Sequence, residues 1–257
     1  MSYKLYCPQN QISPGVKAEL LNKFIDIDVV PERIPFDKWK SPEYLQKHPL
    51  GKVPCLETPE GCIYESNAIL RHLARKAGKL YGKTPAETAA IDQWLEFSNT
   101  QLSPNHMRVF YGTLGYFPIT KEAYEAGKKD YMEVLKIVDA QLKKTPFLGG
   151  NEISIADISL LPSIRLALRL WINEKMRSSI PNVVQWHERL FNLKEVSDFF
   201  GKPWLCIRET LPAFEQAEKK EEKKEEEKKE KKEKKPKQEP KKKEEPKKKE
   251  KKEEPEE

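Results

Sequence analysis

Lys52, Val53, Pro54, Glu65 and Ser66 fall in one short stretch, KVPCLETPEGCIYES, and each brings a different recognition chemistry. A Val-Pro bond at the mouth of a strand is expected to be cis here, turning the N–H and C=O of Val53 out of the sheet towards an extended peptide. Ser66 stands where a helix begins, so its hydroxyl and the unpaired backbone N–H groups behind it favour a carboxylate. Glu65 beside it attracts an ammonium, and Lys52 suits a second carboxylate. Together they describe a cleft for a small peptide with free amino and carboxylate ends. Alone, Glu65-Ser66 is an ordinary helix cap with a flanking acid. The Lys-Val-Pro before it, the hairpin between and the helical chain after it favour the ligand reading.

The elements that must position these residues are readable from periodicity. Residues 3–6 form a short strand. Ser13-Pro14 supplies an N-cap and a first-turn proline for a helix with an apolar stripe at Val16, Leu20, Leu21 and Phe24. Residues 25–30 read as a second strand, and Ser41-Pro42 repeats the cap-and-proline device. Residues 53–57 and 62–64 form a hairpin about Thr58-Pro59-Glu60-Gly61, and Ser66 opens a helix to about residue 76. The order β-α-β-α-β-β-α is an α/β domain of the thioredoxin type, assigned to residues 1–80. Beyond Gly78 the signals are helical only, giving an all-α domain over 84–212. Its marks are a capping box at Thr84-Pro85-Ala86-Glu87, an amphipathic run at 124–142, an acidic capping box at Ser154-Ile155-Ala156-Asp157, and a proline-started helix at Pro181. Trp94, Trp171 and Trp186 recur among apolar residues and read as core.

The last forty residues, 218–257, hold 19 Lys, 16 Glu, four Pro and one Gln. Such a segment buries too little apolar surface to offset its ordering entropy, so 213–257 is assigned as a disordered charged tail. Its mixed charge lacks the single-sign field that phosphate backbones reward, which argues against nucleic-acid binding. The apolar run 153–172 carries Asp157, Arg165 and Arg169 and reads as a buried helix, not a membrane span. The first residues contain no apolar leader run. Cys7, Cys55, Cys62 and Cys206 form no CxxC and no zinc spacing, and His48, His72, His106 and His187 form no metal pattern. Reduced thiols and a cytoplasmic setting follow, with no metal expected.

GKVPCLE with YESNAI resembles the peptide-binding segment of cytosolic glutathione transferases, and SIADIS resembles the capping-box helix of their second domain. The resemblance covers residues 1 to about 212. More narrowly, LGKVPCLE, RVFYGTLGYF (108–117), FLGGNEISIADI (147–158) and KPWLC (202–206) before a Lys/Glu/Pro segment are similar to the transferase-like domain of the elongation factor 1-gamma family. That resemblance implies a thioredoxin-like domain joined to an all-helical transferase domain and a homodimer. It also implies a scaffold role among the exchange-factor subunits of elongation factor 1, in the cytoplasm. It requires no cofactor and leaves glutathione as a possible ligand or substrate, with catalysis open and a non-enzymatic role favoured. That family continues past the charged segment into a further domain, and this sequence stops within the segment.

An active transferase needs a hydroxyl or thiol near the start of the first helix to lower the pKa of the glutathione sulfur. Ser13 fills that place, in a Ser-Pro context like that of serine-type transferases, although Ser-Pro is equally a plain helix start. Cys7-Pro8 is the rival, with Cys7 as a small buried apolar residue the competing reading. Tyr3 and Tyr6 alternate with strand period and read as packing. His48 reads as a loop residue, exposed to solvent or touching the ligand. Arg108 opens the stretch next to the presumed electrophile cleft.

Overall fold

The computed structural model describes residues 3–9, 16–116, 118–210, 212, 214 and 215, all within one unit ending at Glu215. The assignments made to Ser13 and, apart from Phe214 and Glu215, to the 213–257 tail therefore lie outside the described residues.

A four-stranded mixed sheet organises the N-terminal part, in the order β2-β1-β3-β4. Strand β1 (Tyr3–Pro8) pairs in parallel with β2 (Val29–Ile34) and antiparallel with β3 (Cys55–Thr58), which forms a hairpin with β4 (Gly61–Tyr64). The second strand thus lies at 29–34, displaced from the expected 25–30. Its VVPERI contains Pro31, which lacks a ladder donor, and the sheet accepts it because β2 is an edge. Residues 25–28 instead lead into the strand, with the Tyr3 amide donating to the Asp28 carbonyl at 2.8 Å. The hairpin turns where the Thr-Pro-Glu-Gly pattern requires. Thr58 Oγ1 accepts from the Glu60 amide (3.2 Å) and donates to the Gly61 carbonyl (2.8 Å), and Gly61 takes φ 132°, open to glycine and strained for other residues.

Helices α1 (Val16–Leu21), α2 (Pro42–Leu45) and α3 (Ser66–Ala77) complete this part. Ser41 caps α2 by accepting from the Tyr44 amide, and Gly78 closes α3 in the left-handed region. Leu5, Leu56, Leu20, Leu21, Ile69, Leu70 and Leu73 are fully buried between the sheet and helices α1 and α3.

The remaining described chain is helical: α4 (Pro85–Phe97), α5 (Ser103–Leu114), α6 (Lys121–Leu142), α7 (Ile155–Leu170), α8 (Glu174–Arg177), α9 (Pro181–Phe191) and α10 (Lys194–Phe200). Both capping boxes form as the sequence indicates, Thr84 with Glu87 and Ser154 with Asp157. A wide π turn at Ser98–Leu102 carries α4 directly into α5, a helix that sequence periodicity did not single out. Asp157 does more than cap. Its buried carboxylate accepts from the Ser154 and Leu148 amides, the Ser154 hydroxyl and Trp186 Nε1, at 2.9–3.1 Å. Burial pushes this carboxyl upward, against the pull of its four donors. Trp94, Trp171 and Trp186 are core residues, in one apolar cluster that runs from Leu5 and Leu56 of the sheet to Leu190 of α9. Among the described residues no helix is long and apolar enough to cross a membrane.

Candidate functional site

Lys52, Val53, Pro54, Glu65 and Ser66, singled out by type and spacing, line one cavity of about 350 Å³. The hairpin brings them together: Lys52 to Pro54 lead into β3, and Glu65 and Ser66 follow β4 at the start of α3. The Val53–Pro54 bond is cis. Tyr44 fixes the approach, its hydroxyl donating to the Lys52 carbonyl at 2.7 Å.

Glu65 adopts φ 70°, ψ 115°, an uncommon conformation for a residue with a side chain, and makes no cap bond. Its carbonyl accepts from the Ile69 amide (3.0 Å), which fixes the first turn of α3 and leaves the earlier N–H groups at the cavity. Ser66 is buried, and its hydroxyl has no partner among the described residues; the same holds for Lys52 Nζ and the Glu65 carboxylate. Among the described residues, nothing competes with a ligand for this hydroxyl, carboxylate and ammonium.

The helical part closes the opposite side with Asn99, Ser103, His106, Met107, Pro162, Ser163 and Leu166. Three further residues line the cavity: His48, which the sequence left either exposed to solvent or touching a ligand, and His106 and Lys17, which it did not assign there. His48 is buried, which corrects the solvent-exposed alternative, because it stacks on Tyr64 at 4.7 Å between ring centroids. Burial lowers its pKa, and its Nδ1 has no partner. His106 stacks on Phe110 and is pushed down to about 4, by burial first and then by the charge of Lys17; its Nδ1 also lacks a partner. Lys17 is 4% exposed and is lowered to about 8 by burial. Two neutral imidazoles and one buried ammonium therefore face the space. A lysine on an amphipathic helix carries no sequence signal of burial, so Lys17 could not be found from its neighbours.

The other candidates lie elsewhere. Cys7 is fully buried on β1, contacts Arg33 Nη1 at 3.1 Å, and is pushed up to about 12 by burial, which leaves a protonated, unreactive thiol. Tyr3 and Tyr6 are buried packing residues. Arg108 is exposed, pairs with Asp130 at 3.3 Å, and borders a separate apolar hollow with Tyr111 and Pro118. Among the described residues no group of three His, Cys, Asp or Glu is gathered as a metal site would require.

Two family models match this chain: the N-terminal domain of glutathione S-transferase over residues 15–75 and its C-terminal domain over residues 104–194. The chain belongs to the glutathione S-transferase family. Within that family its relatives include a probable elongation factor 1-gamma 2 of Arabidopsis thaliana, 36% identical over 164 residues that cover 63% of this chain and 40% of that protein. An elongation factor 1-gamma of Carassius auratus is 33% identical over 194 residues, 71% of this chain and 43% of its own. The chain thus spans about two fifths of the length of these relatives. In three dimensions it is similar to the glutathione transferase URE2P6 of Phanerochaete chrysosporium, solved with oxidized glutathione. The TM-score is 0.71 at 23% identity, covering 77% of this chain and 94% of that one, a likeness of fold.

Proposed function

We propose that this protein is a glutathione-transferase-like gamma subunit of elongation factor 1, serving translation elongation as a cytoplasmic, homodimeric scaffold for the exchange-factor subunits. The observation that carries this reading is the similarity to proteins named elongation factor 1-gamma over 63–71% of the chain. The test is co-purification of the tagged full chain from its own cells at physiological salt. Exchange-factor subunits of elongation factor 1 are expected in the eluate, and their absence at native expression levels overturns the reading.

The cavity supports a second property of the same protein, binding of glutathione. The Glu65 carboxylate and the Ser66 end of α3 suit the amino and carboxylate groups of its γ-glutamyl end. Val53 suits its peptide backbone, and Lys52 its glycine carboxylate. Isothermal titration calorimetry is expected to detect binding, and Ser66→Ala to weaken it by about tenfold, the loss of one charge-assisted hydrogen bond. An unchanged affinity refutes this placement of the ligand. Transferase activity is the alternative role, with Ser13 as the residue that would hold the sulfur. Turnover of a chloronitroarene by wild type and its loss in Ser13→Ala would establish it, whereas binding without turnover leaves the scaffold role alone.

A further inference from the structure

Trp204 and Ile207 stand in solvent at 68% and 85% exposure, on a segment whose backbone is held firmly. The Cys206 amide donates to the Leu168 carbonyl (2.8 Å) and the Thr210 amide to the Leu170 carbonyl (2.7 Å). Arg177 Nη1 donates to the Cys206 carbonyl (2.6 Å), Cys206 is buried, and Leu205 packs on the core. The two apolar side chains are thus turned outward by a fixed backbone, a placement that brings the isolated fold nothing and suits a contact.

The same stretch runs beside α7. The Arg165 guanidinium lies over the Phe200 ring at 4.1 Å, and Arg169 stands one turn further along the same side of that helix. Arg33, Arg71 and Arg108 each meet a carboxylate, whereas Arg165, Arg169, Lys202 and Arg208 meet none among the described residues. Nε of Arg165 is buried without a partner, and burial, then the like charge of Arg169, lower its pKa to about 10. The acids close to them in sequence are spent, Asp198 on Lys194 and Glu209 on Lys128 and Asn173. An apolar pair is therefore set among positive charges that nothing described neutralises. We propose that this face docks an amphipathic helix of a partner protein, its apolar stripe on Trp204 and Ile207 and its Asp or Glu residues on Arg165, Arg169 and Arg208. A helix fits better than an extended strand, because the Cys206 and Thr210 amides are already given to α7 and leave no ladder to extend. Protein fits better than nucleic acid, because an exposed isoleucine offers a base no face to stack on. Arginine beside carboxylate supplies paired hydrogen bonds, and tryptophan the buried anchor. This rests on the scaffold reading above and adds where on the chain a partner subunit sits.

The test puts the photo-cross-linking residue p-benzoylphenylalanine in place of Trp204, and separately of Ile207, in the tagged full chain at native expression levels. After irradiation and purification, mass spectrometry is expected to find both positions joined to a co-purified exchange-factor subunit, through a peptide with acidic residues flanking apolar ones at three- and four-residue spacing. The double variant Trp204→Ala, Ile207→Ser should retain that subunit about thirtyfold less well, and Arg169→Glu about tenfold less well. All these side chains are exposed, so both variants should keep the wild-type circular dichroism; if one does not, the cross-links alone decide. Subunits that co-purify without a cross-link to either position, or with the cross-links on RNA or on the chain's own residues 216–257, overturn this inference and leave the scaffold reading standing. So does a cross-linked peptide without acidic residues, or undiminished retention by both folded variants. An eluate with no exchange-factor subunit at all overturns the scaffold reading, and this inference with it.

Discussion

Replacing Lys17 by methionine should make the protein more stable, and by an amount that depends on pH in a defined direction. In the unfolded chain Lys17 keeps its proton up to an ordinary 10.5, while in the fold burial lowers it to about 8. Between those values the unfolded state binds more protons, so stability rises with pH, and the penalty of burying this charge is fully present below about 8 and gone above about 10.5. At pH 7 the cost of holding the charge in the fold is about 3 kcal/mol, and at pH 10 it has fallen to about 1 kcal/mol. Methionine matches the aliphatic stem and removes the charge. It also removes three hydrogen bonds, but Asn67, Ser98 and Ser159 keep bonds to one another, and Asn67 keeps its 2.6 Å bond to the Leu95 carbonyl. Allowing about 1 kcal/mol for those losses, Lys17→Met should be about 2 kcal/mol more stable at pH 7. Urea denaturation followed by circular dichroism at pH 7 and pH 10 measures both values. Tyr6, Cys7 and Cys55, each raised to about 12 chiefly by burial, also titrate in alkali, but they do so alike in both proteins and cancel from the difference. A variant less stable than wild type at pH 7, or a difference that does not shrink by pH 10, would refute the reasoning.

Two further substitutions test buried polar ties of the fold. Asp157→Ala strands two buried amides and the Trp186 indole N–H, and should cost about 4 kcal/mol in urea denaturation; a loss below about 1 kcal/mol would show that the loop at Leu148 relaxes to replace them. Arg33→Met leaves Glu19, whose side chain is only 5% exposed, without its bidentate partner at about 3 kcal/mol, and pairing it with Glu19→Leu should recover most of the loss. An additive double variant would show that the pair is not coupled.

Features written in local chemistry were legible in the sequence. Thr84 with Glu87, Ser154 with Asp157, and Thr58 to Gly61 each place hydrogen-bonding groups at fixed offsets, so the helix starts and the hairpin could be read directly. The cleft residues 52–54 and 65–66 were legible for the same reason, since the hairpin that joins them is itself local. Tertiary position was not. The second strand hid behind Pro31, which is tolerated only because β2 happens to be an edge. His48 looked like an exposed loop residue until Tyr64, from the far side of the hairpin, covered it. Lys17 and His106 belong to helices whose periodicity shows a polar residue without showing what faces it; only the packing of α1 against α3 and α7 turns that lysine inward. The assignments to Ser13 fall outside the described residues and remain with the activity assay.

The backbone of Glu65 carries a further meaning. At φ 70° a glycine would sit without strain, whereas a side chain there costs about 1 kcal/mol or more. The fold thus gives up stability at the residue whose carboxylate stands at the cleft. Selection for heat resistance alone would favour Glu65→Gly and erase, in the same step, the carboxylate proposed above to meet a ligand's ammonium. Durability and the proposed ligand recognition pull this one position in opposite directions, so a thermally improved version of the protein should be checked there first.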